Sequence, residues 1–173
     1  MINARAETVA TAPAFRSAFK KTRCLIPASG FYEWQKRAEG NKQPMHIGMK
    51  DGEPFAFAGL WTRWGPKDGE QLETCTIITG EPNEVSASIH NRMPVILDAE
   101  NFAFWLDPTN ADLDGLEQLL VPAPADYARW LDVEQPGTEE LLRPYPADAM
   151  AAYRVSTRVN SPKNDDAGVI DPR

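Results

Sequence analysis

The chain has 173 residues, 42% hydrophobic and 25% charged, the size and composition of one globular domain with a real core. No apolar run approaches the roughly 20 residues of a membrane helix, and no apolar stretch behind a basic start marks a secretory signal, so a cytoplasmic protein without a membrane partner is expected. A net charge of -7 argues against nucleic acid, but residues 1–50 hold nine Lys/Arg against three acids, and affinity for phosphate follows the local field.

Met1 to Thr8 reads as extended, with Asn3 and Arg5 on one side. An amide there can orient a substrate and a guanidinium can clamp a phosphate, although residues 1–8 of an arbitrary chain are more often frayed. Thr11-Ala12-Pro13 followed by Phe15, Ala18 and Phe19 predicts a short helix with a capping hydroxyl and an early proline. Cys24 to Pro27 and Phe31 to Gln35 predict strands around Ala28-Ser29-Gly30. Lys42 to Met49 predicts another, turning at Asp51-Gly52 into Phe55 to Trp61. After a second turn at 65–69, Glu73 to Thr79 reads as a strand, Pro82 to Ile89 as a short helix and Met93 to Leu97 as a strand. Asp98 should cap a helix carrying Phe102, Phe104, Trp105 and Leu106, with another from Leu113 to Leu120. The proline-rich stretch 121–146 mixes loop with short pieces, Tyr153 to Val159 reads as a last strand, and the polar tail from Asn160 reads as loop. The expectation is one α+β domain over 1–173, mostly antiparallel sheet with short flanking helices.

Three runs carry chemistry. Glu33 sits in an aromatic strand, sharing a face with Phe31 while Tyr32 and Trp34 take the other. A carboxylate on an apolar face has its pKa raised toward the range useful for acid–base work; on a wet face it has no such role. His90, in Ile89-His90-Asn91-Arg92-Met93-Pro94, can pass a proton near neutrality, with Arg92 close by to hold an anion; the alternative is a satisfied structural histidine. His46 reads as structural. Trp61 and Trp64 around Arg63 form either a stacking platform for bases or, the favoured reading, core. Cys24 and Cys75 read as small buried thiols in a reducing compartment, and no Cys/His spacing suits a metal, so no cofactor is expected.

Taken in order, Ile2-Asn3-Ala4-Arg5-Ala6-Glu7-Thr8, Arg23-Cys24-Leu25-Ile26-Pro27-Ala28-Ser29-Gly30-Phe31-Tyr32-Glu33-Trp34, Phe57-Ala58-Gly59-Leu60-Trp61, Ile77-Ile78-Thr79 and His90-Asn91-Arg92-Met93-Pro94 resemble the SRAP family, the SOS response-associated peptidases. Val155-Ser156-Thr157-Arg158-Val159-Asn160 is similar to that family's closing segment. The resemblance implies a β-rich fold that binds single-stranded DNA and acts on abasic sites. In that family an N-terminal cysteine, exposed by autoproteolytic peptidase activity, attacks the ring-opened sugar aldehyde and closes a thiazolidine crosslink. By resemblance, Asn3 holds the cysteine amine and sugar, Glu33 assists amine chemistry and proton transfer, and His90 is the acid–base group for sugar opening and reversal. Arg5, Trp34, Thr79 and Arg92 match DNA-contacting positions.

Family members carry a further segment, beginning Met-Cys-Gly-Arg, ahead of the Asn-Ala-Arg-Ala-Glu run, and neither Cys24 nor Cys75 matches the nucleophile. The expectation is therefore an N-terminally incomplete form of the fold that as written lacks crosslinking. Its exposed sheet edge invites the missing segment or a second copy. Two alternatives are a non-catalytic single-stranded DNA-binding module and a small-molecule hydrolase using Glu33 and His90.

Overall fold

The computed structural model describes residues 1–66, 69–120 and 144–172. These form two compact units, each built on its own sheet. The sequence expectations for 121–143 lie outside the described residues.

The first unit comprises 1–27, 56–80 and 94–145. Its sheet runs β1 (Asn3–Arg5), β6 (Leu72–Gly80), β5 (Phe55–Trp64), β2 (Arg23–Ala28). The alternation at β1 puts Ala4 in the core and leaves Asn3 and Arg5 exposed. The N-terminus is not frayed, because Ile77 N–H donates to Ile2 O and Thr76 Oγ1 donates to Met1 O, at 3.0 and 2.9 Å. β1 runs parallel to β6, whereas β5 pairs antiparallel with both β6 and β8. β5 and β6 pair from Trp64–Leu72 to Gly59–Ile77. Beyond that point the strands β7 (Met93–Pro94) and β8 (Ile96–Leu97) join, pairing with β6 and β5 respectively. Val95 stitches the join, its N–H donating to Ile78 O and its carbonyl accepting from Ala58 N–H, both at 2.9 Å.

One face of this sheet is covered by α1 (Arg16–Lys21), α3 (Phe102–Leu106) and α4 (Leu113–Gln118), which bring Phe19, Trp105 and Leu116 into a core with Val9, Leu60, Ile78 and Leu97. Phe19 and Trp105 meet edge to face, ring centroids 6.0 Å apart. α1 begins at Arg16, later than the Thr11-Ala12-Pro13 signal implies, because the Thr11 hydroxyl turns back to Thr8 O and caps no helix. At its end, buried Arg23 donates to Phe19 O, Lys20 O, Trp105 O and Asp107 O. One guanidinium thus satisfies carbonyls left over at the ends of two helices. Burial lowers its pKa, opposed by the charge of Asp107. Asp98 starts a short 3-10 turn (Ala99–Asn101) ahead of α3 without a side-chain capping bond, whereas Asp112 does cap α4, accepting from Gly115 N–H.

The second unit comprises 28–55, 81–93 and 146–173. It holds the antiparallel sheet β3 (Phe31–Gln35), β4 (Gln43–Met49), β9 (Met150–Arg154), with β4 central. Gly52 turns the chain after β4 with φ +77°, a conformation that glycine adopts at no steric cost. α2 (Glu84–Ala87) is shorter than the predicted 82–89. Its cap Asn83 accepts from Ser86 N–H and points its amide at Met150 Sδ, which holds the helix against β9. The last strand ends at Arg154 and does not reach Val159. Ser156 accepts from Arg158 N–H and turns the chain into a 3-10 helix over Thr157–Asn160.

A candidate acid–base site and a candidate DNA-contacting strand

The β3–β4 register places Glu33 opposite Met45 and Phe31 opposite Ile47, so both share the face buried by Met45, Ile47 and Met150. Tyr32, opposite His46, takes the other face, as the alternation predicts. Glu33 is therefore a carboxylate seated on apolar packing. Burial raises its pKa, while the charge of His90, the Trp34 backbone N–H and the charge of Lys42 pull it back.

His90 follows α2, with its N–H bonded to Ser86 O at 2.8 Å. Its Nδ1 stands 3.8 Å from Glu33 Oε1, with 44% of the imidazole side chain exposed against 21% for the carboxylate. The same Nδ1 lies 3.2 Å from both Arg92 N–H and Arg92 O. The neutral ring accepts from Arg92 N–H, and the protonated ring donates toward Arg92 O and the carboxylate. Both protonation states thus find partners without the ring moving, which suits a group that gives and takes a proton. Arg92 itself is half-buried. Trp34 keeps part of its ring exposed, and its indole N–H donates to Asn160 Oδ1 at 2.8 Å.

Asn3, Arg5 and Thr79 belong to the first unit. The β1–β6 register pairs Asn3 with Ile77 and Arg5 with Thr79, and the Thr79 hydroxyl donates to Ala4 O at 3.4 Å. An exposed amide and an exposed guanidinium project from one strand edge with a threonine beside them. The amide and the guanidinium are donors suited to a phosphodiester, while the Thr79 hydroxyl hydrogen is engaged by Ala4 O. The structure thus gathers Glu33, His90 and Arg92 in one unit and Asn3, Arg5 and Thr79 in the other.

Several neighbours escaped the sequence reading. Lys42, outside the β4 strand, lends positive charge to Glu33, and Asn160, in the segment read as loop, orients Trp34. His46 lies between Tyr32 and Tyr153, at centroid distances of 5.5 and 5.0 Å, with burial lowering its pKa. Trp64 is exposed, contrary to the core expectation, and Trp61 is half-buried with Arg63 5.4 Å from its ring centroid. Cys75 is exposed and only Cys24 is partly buried, which corrects the reading of both as buried thiols. The Cys24 thiol is pushed up by burial and then by the charge of Cys75. Among the described residues no group of three or more His, Cys, Asp or Glu could hold a metal ion, and no helix is long and apolar enough to cross a membrane.

Comparison with known proteins gives a consistent neighbourhood. The family model for SOS response associated peptidase (SRAP) matches residues 1–135. The abasic site processing protein YoqW of Bacillus subtilis strain 168 is 46% identical over 171 residues, covering 99% of this chain and 66% of that protein. The abasic site processing protein HMCES of Gallus gallus is 31% identical, over 98% of this chain and 49% of that protein. A solved structure from Bacteroides thetaiotaomicron superposes with a TM-score of 0.78 at 31% identity, over 99% of this chain and 65% of that one. The chain thus spans just under two thirds of the Bacillus relative it matches. With the family model matching over most of its length and a β-rich α+β fold shared with a 31% identical structure, this chain belongs to the SRAP family.

Proposed function

We propose that the protein processes abasic sites in DNA and that the Glu33–His90 pair performs its proton transfers. The observation that carries this reading is the 3.8 Å approach of His90 Nδ1 to a carboxyl whose pKa burial has raised. The names of relatives such as YoqW and HMCES support the substrate class. An abasic sugar equilibrates with a ring-opened aldehyde. Opening needs a proton moved from the sugar hydroxyl to the ring oxygen, and imine formation needs a proton for departing water. A carboxyl whose pKa burial has raised, with an imidazole beside it, can supply these transfers. In the whole protein the amine and thiol are those of the family's N-terminal cysteine, which closes the thiazolidine.

In this reading Asn3 positions the amine and sugar, and single-stranded DNA is the partner, contacted by Arg5, Trp34, Thr79 and Arg92. Cytoplasmic residence is supported by two free thiols, Cys24 and Cys75. Among the described residues β1 is an edge strand, and its open side suits a further strand or a second copy.

The test is gel detection of a covalent adduct between an abasic oligonucleotide and this chain, alone and fused behind the corresponding N-terminal segment of YoqW. Adduct formation that Glu33→Gln or His90→Ala slows supports the assignment. Kinetics unchanged in both variants remove the pair from the mechanism. For the strand-edge contacts, Arg5→Ala should lower the salt slope of single-strand binding by about 0.7, the value for one lost phosphate contact.

A further inference from the structure

The second unit contains a feature the acid–base pair does not use, a pocket of about 270 Å³ lined by Arg37, Gln43, Arg154, Val155, Ser156 and Thr157. Two arginines line it and, among the described residues, no Asp or Glu does. Nearby Arg158 is neutralised by Asp166 at 2.5 Å, whereas among the described residues neither Arg37 nor Arg154 has a carboxylate partner. Like charges sharing a cavity repel, and an anion between them reverses the sign of that energy.

The pocket is braced rather than a chance meeting of surface side chains. Gln43 donates to Pro44 O at 2.8 Å and Val155 O at 3.0 Å, which fixes its amide and turns Oε1 toward Arg37 Nη2. Arg37 is thereby anchored through one nitrogen, with its other N–H groups left to donate. Ser156 is 4% exposed and its Oγ accepts from Arg158 N–H, so the hydroxyl hydrogen remains a donor. Planar forks from two arginines with a hydroxyl beside them match the several oxygens of a phosphate better than a single carboxylate.

We propose that this pocket is a phosphate-binding site in which Arg37 and Arg154 hold one phosphate group between them. Its position suggests a source. Arg154 pairs across β4 with Met45, and Met45 pairs with Glu33, so Arg154 and Glu33 share a sheet face two strands apart, about 10 Å between backbones. A phosphodiester seated here flanks a sugar at Glu33. That source rests on the function proposed above; the phosphate site itself does not. The other source is a free or terminal phosphate monoester.

Two measurements separate these. The melting temperature of the full chain is compared in inorganic phosphate and in chloride at equal ionic strength, for wild type and for the Arg37→Ala/Arg154→Ala double variant. The proposal expects a rise in phosphate for wild type and its loss in the double variant. No rise in wild type, or an equal rise in both, overturns it. Should the double variant fold poorly in chloride, Arg154→Gln alone, at an exposed strand end, serves instead. The second measurement is single-strand binding against salt. A slope lowered by about 0.7 in the variant assigns the pocket to a DNA phosphodiester. An unchanged slope with an arginine-dependent phosphate response assigns it to a monoester. If phosphate stabilises the protein and abasic DNA is neither bound nor processed, the function proposed above falls while the phosphate site stands.

Discussion

His90 Nδ1 and Glu33 Oε1 face each other at 3.8 Å across 56 residues of intervening chain, with Arg92 N–H and O each 3.2 Å from the same ring nitrogen. The separation is long for a hydrogen bond and short enough for the charge of His90 to bias the protonation of Glu33. Such spacing is common in unliganded acid–base sites that tighten on substrate. In the chain fused behind the N-terminal segment of YoqW, Glu33→Gln and His90→Ala are each expected to slow adduct formation on an abasic oligonucleotide by about 10²–10⁴-fold. Rates measured between pH 5 and 9 should depend on the Glu33 carboxyl in wild type, and that dependence should be lost in Glu33→Gln.

Stability offers an independent check on Glu33. Burial raises its folded pKa above the unfolded value, so the protonated form is the one the fold prefers. The associated stability is present below the unfolded pKa of about 4.5 and is lost as pH rises through the folded pKa. Glu33→Gln, which cannot ionise, should therefore melt higher than wild type at pH 7 to 8, with the gap closing below pH 4. Thermal melts across that range decide it, and a gap that widens toward acid contradicts it.

Gly30 is required by a close approach. A Cβ placed there would lie 2.2 Å from His46 Nε2 and 3.0 Å from Ile47 O. Gly30→Ala should cost about 1–3 kcal/mol by overpacking. Because the severe clash is with the imidazole, Gly30→Ala with His46→Ala should be less destabilised than the sum of the singles. Urea melts of the double-mutant cycle measure that coupling, and strict additivity would mean the backbone contact dominates.

Arg23→Met keeps most of the apolar stem and removes the guanidinium. Phe19 O, Lys20 O, Trp105 O and Asp107 O then lose their donor. At about 1–3 kcal/mol for each buried polar group left unpaired, a loss of at least 3 kcal/mol is expected, even with water reaching the part-buried Lys20 and Asp107 carbonyls. A melting temperature lower by about 6–12 °C would match a chain of this size.

Much of the sheet was legible because strand signals there are local. The run Phe31 to Gln35 forms the strand its aromatic residues predict, and β4 follows the predicted one within a residue. Asp51-Gly52 marks a turn by its own chemistry. The last strand was misplaced because Ala151-Ala152 carries little strand propensity. Pairing of Met150 to Arg154 with the whole length of β4 overrides that weakness, and Ser156 ends the strand early. Glu33 and His90 were each visible as chemically unusual residues. Their meeting was not, since it depends on where α2 docks, set by Asn83 against Met150. The Arg37–Arg154 pocket gave no sequence signal at all, because its two cations are ordinary residues, one in the loop after β3 and one at the end of β9.

The guanidinium of Arg23 binds the tail of α1 to the tail of α3, elements more than eighty residues apart along the chain. Neither helix is long enough to persist in water alone. Their backbone amides should therefore exchange with solvent at matched rates, since releasing one tail strips the other of its donor. The first unit would then open as a single cooperative body and not peel apart helix by helix.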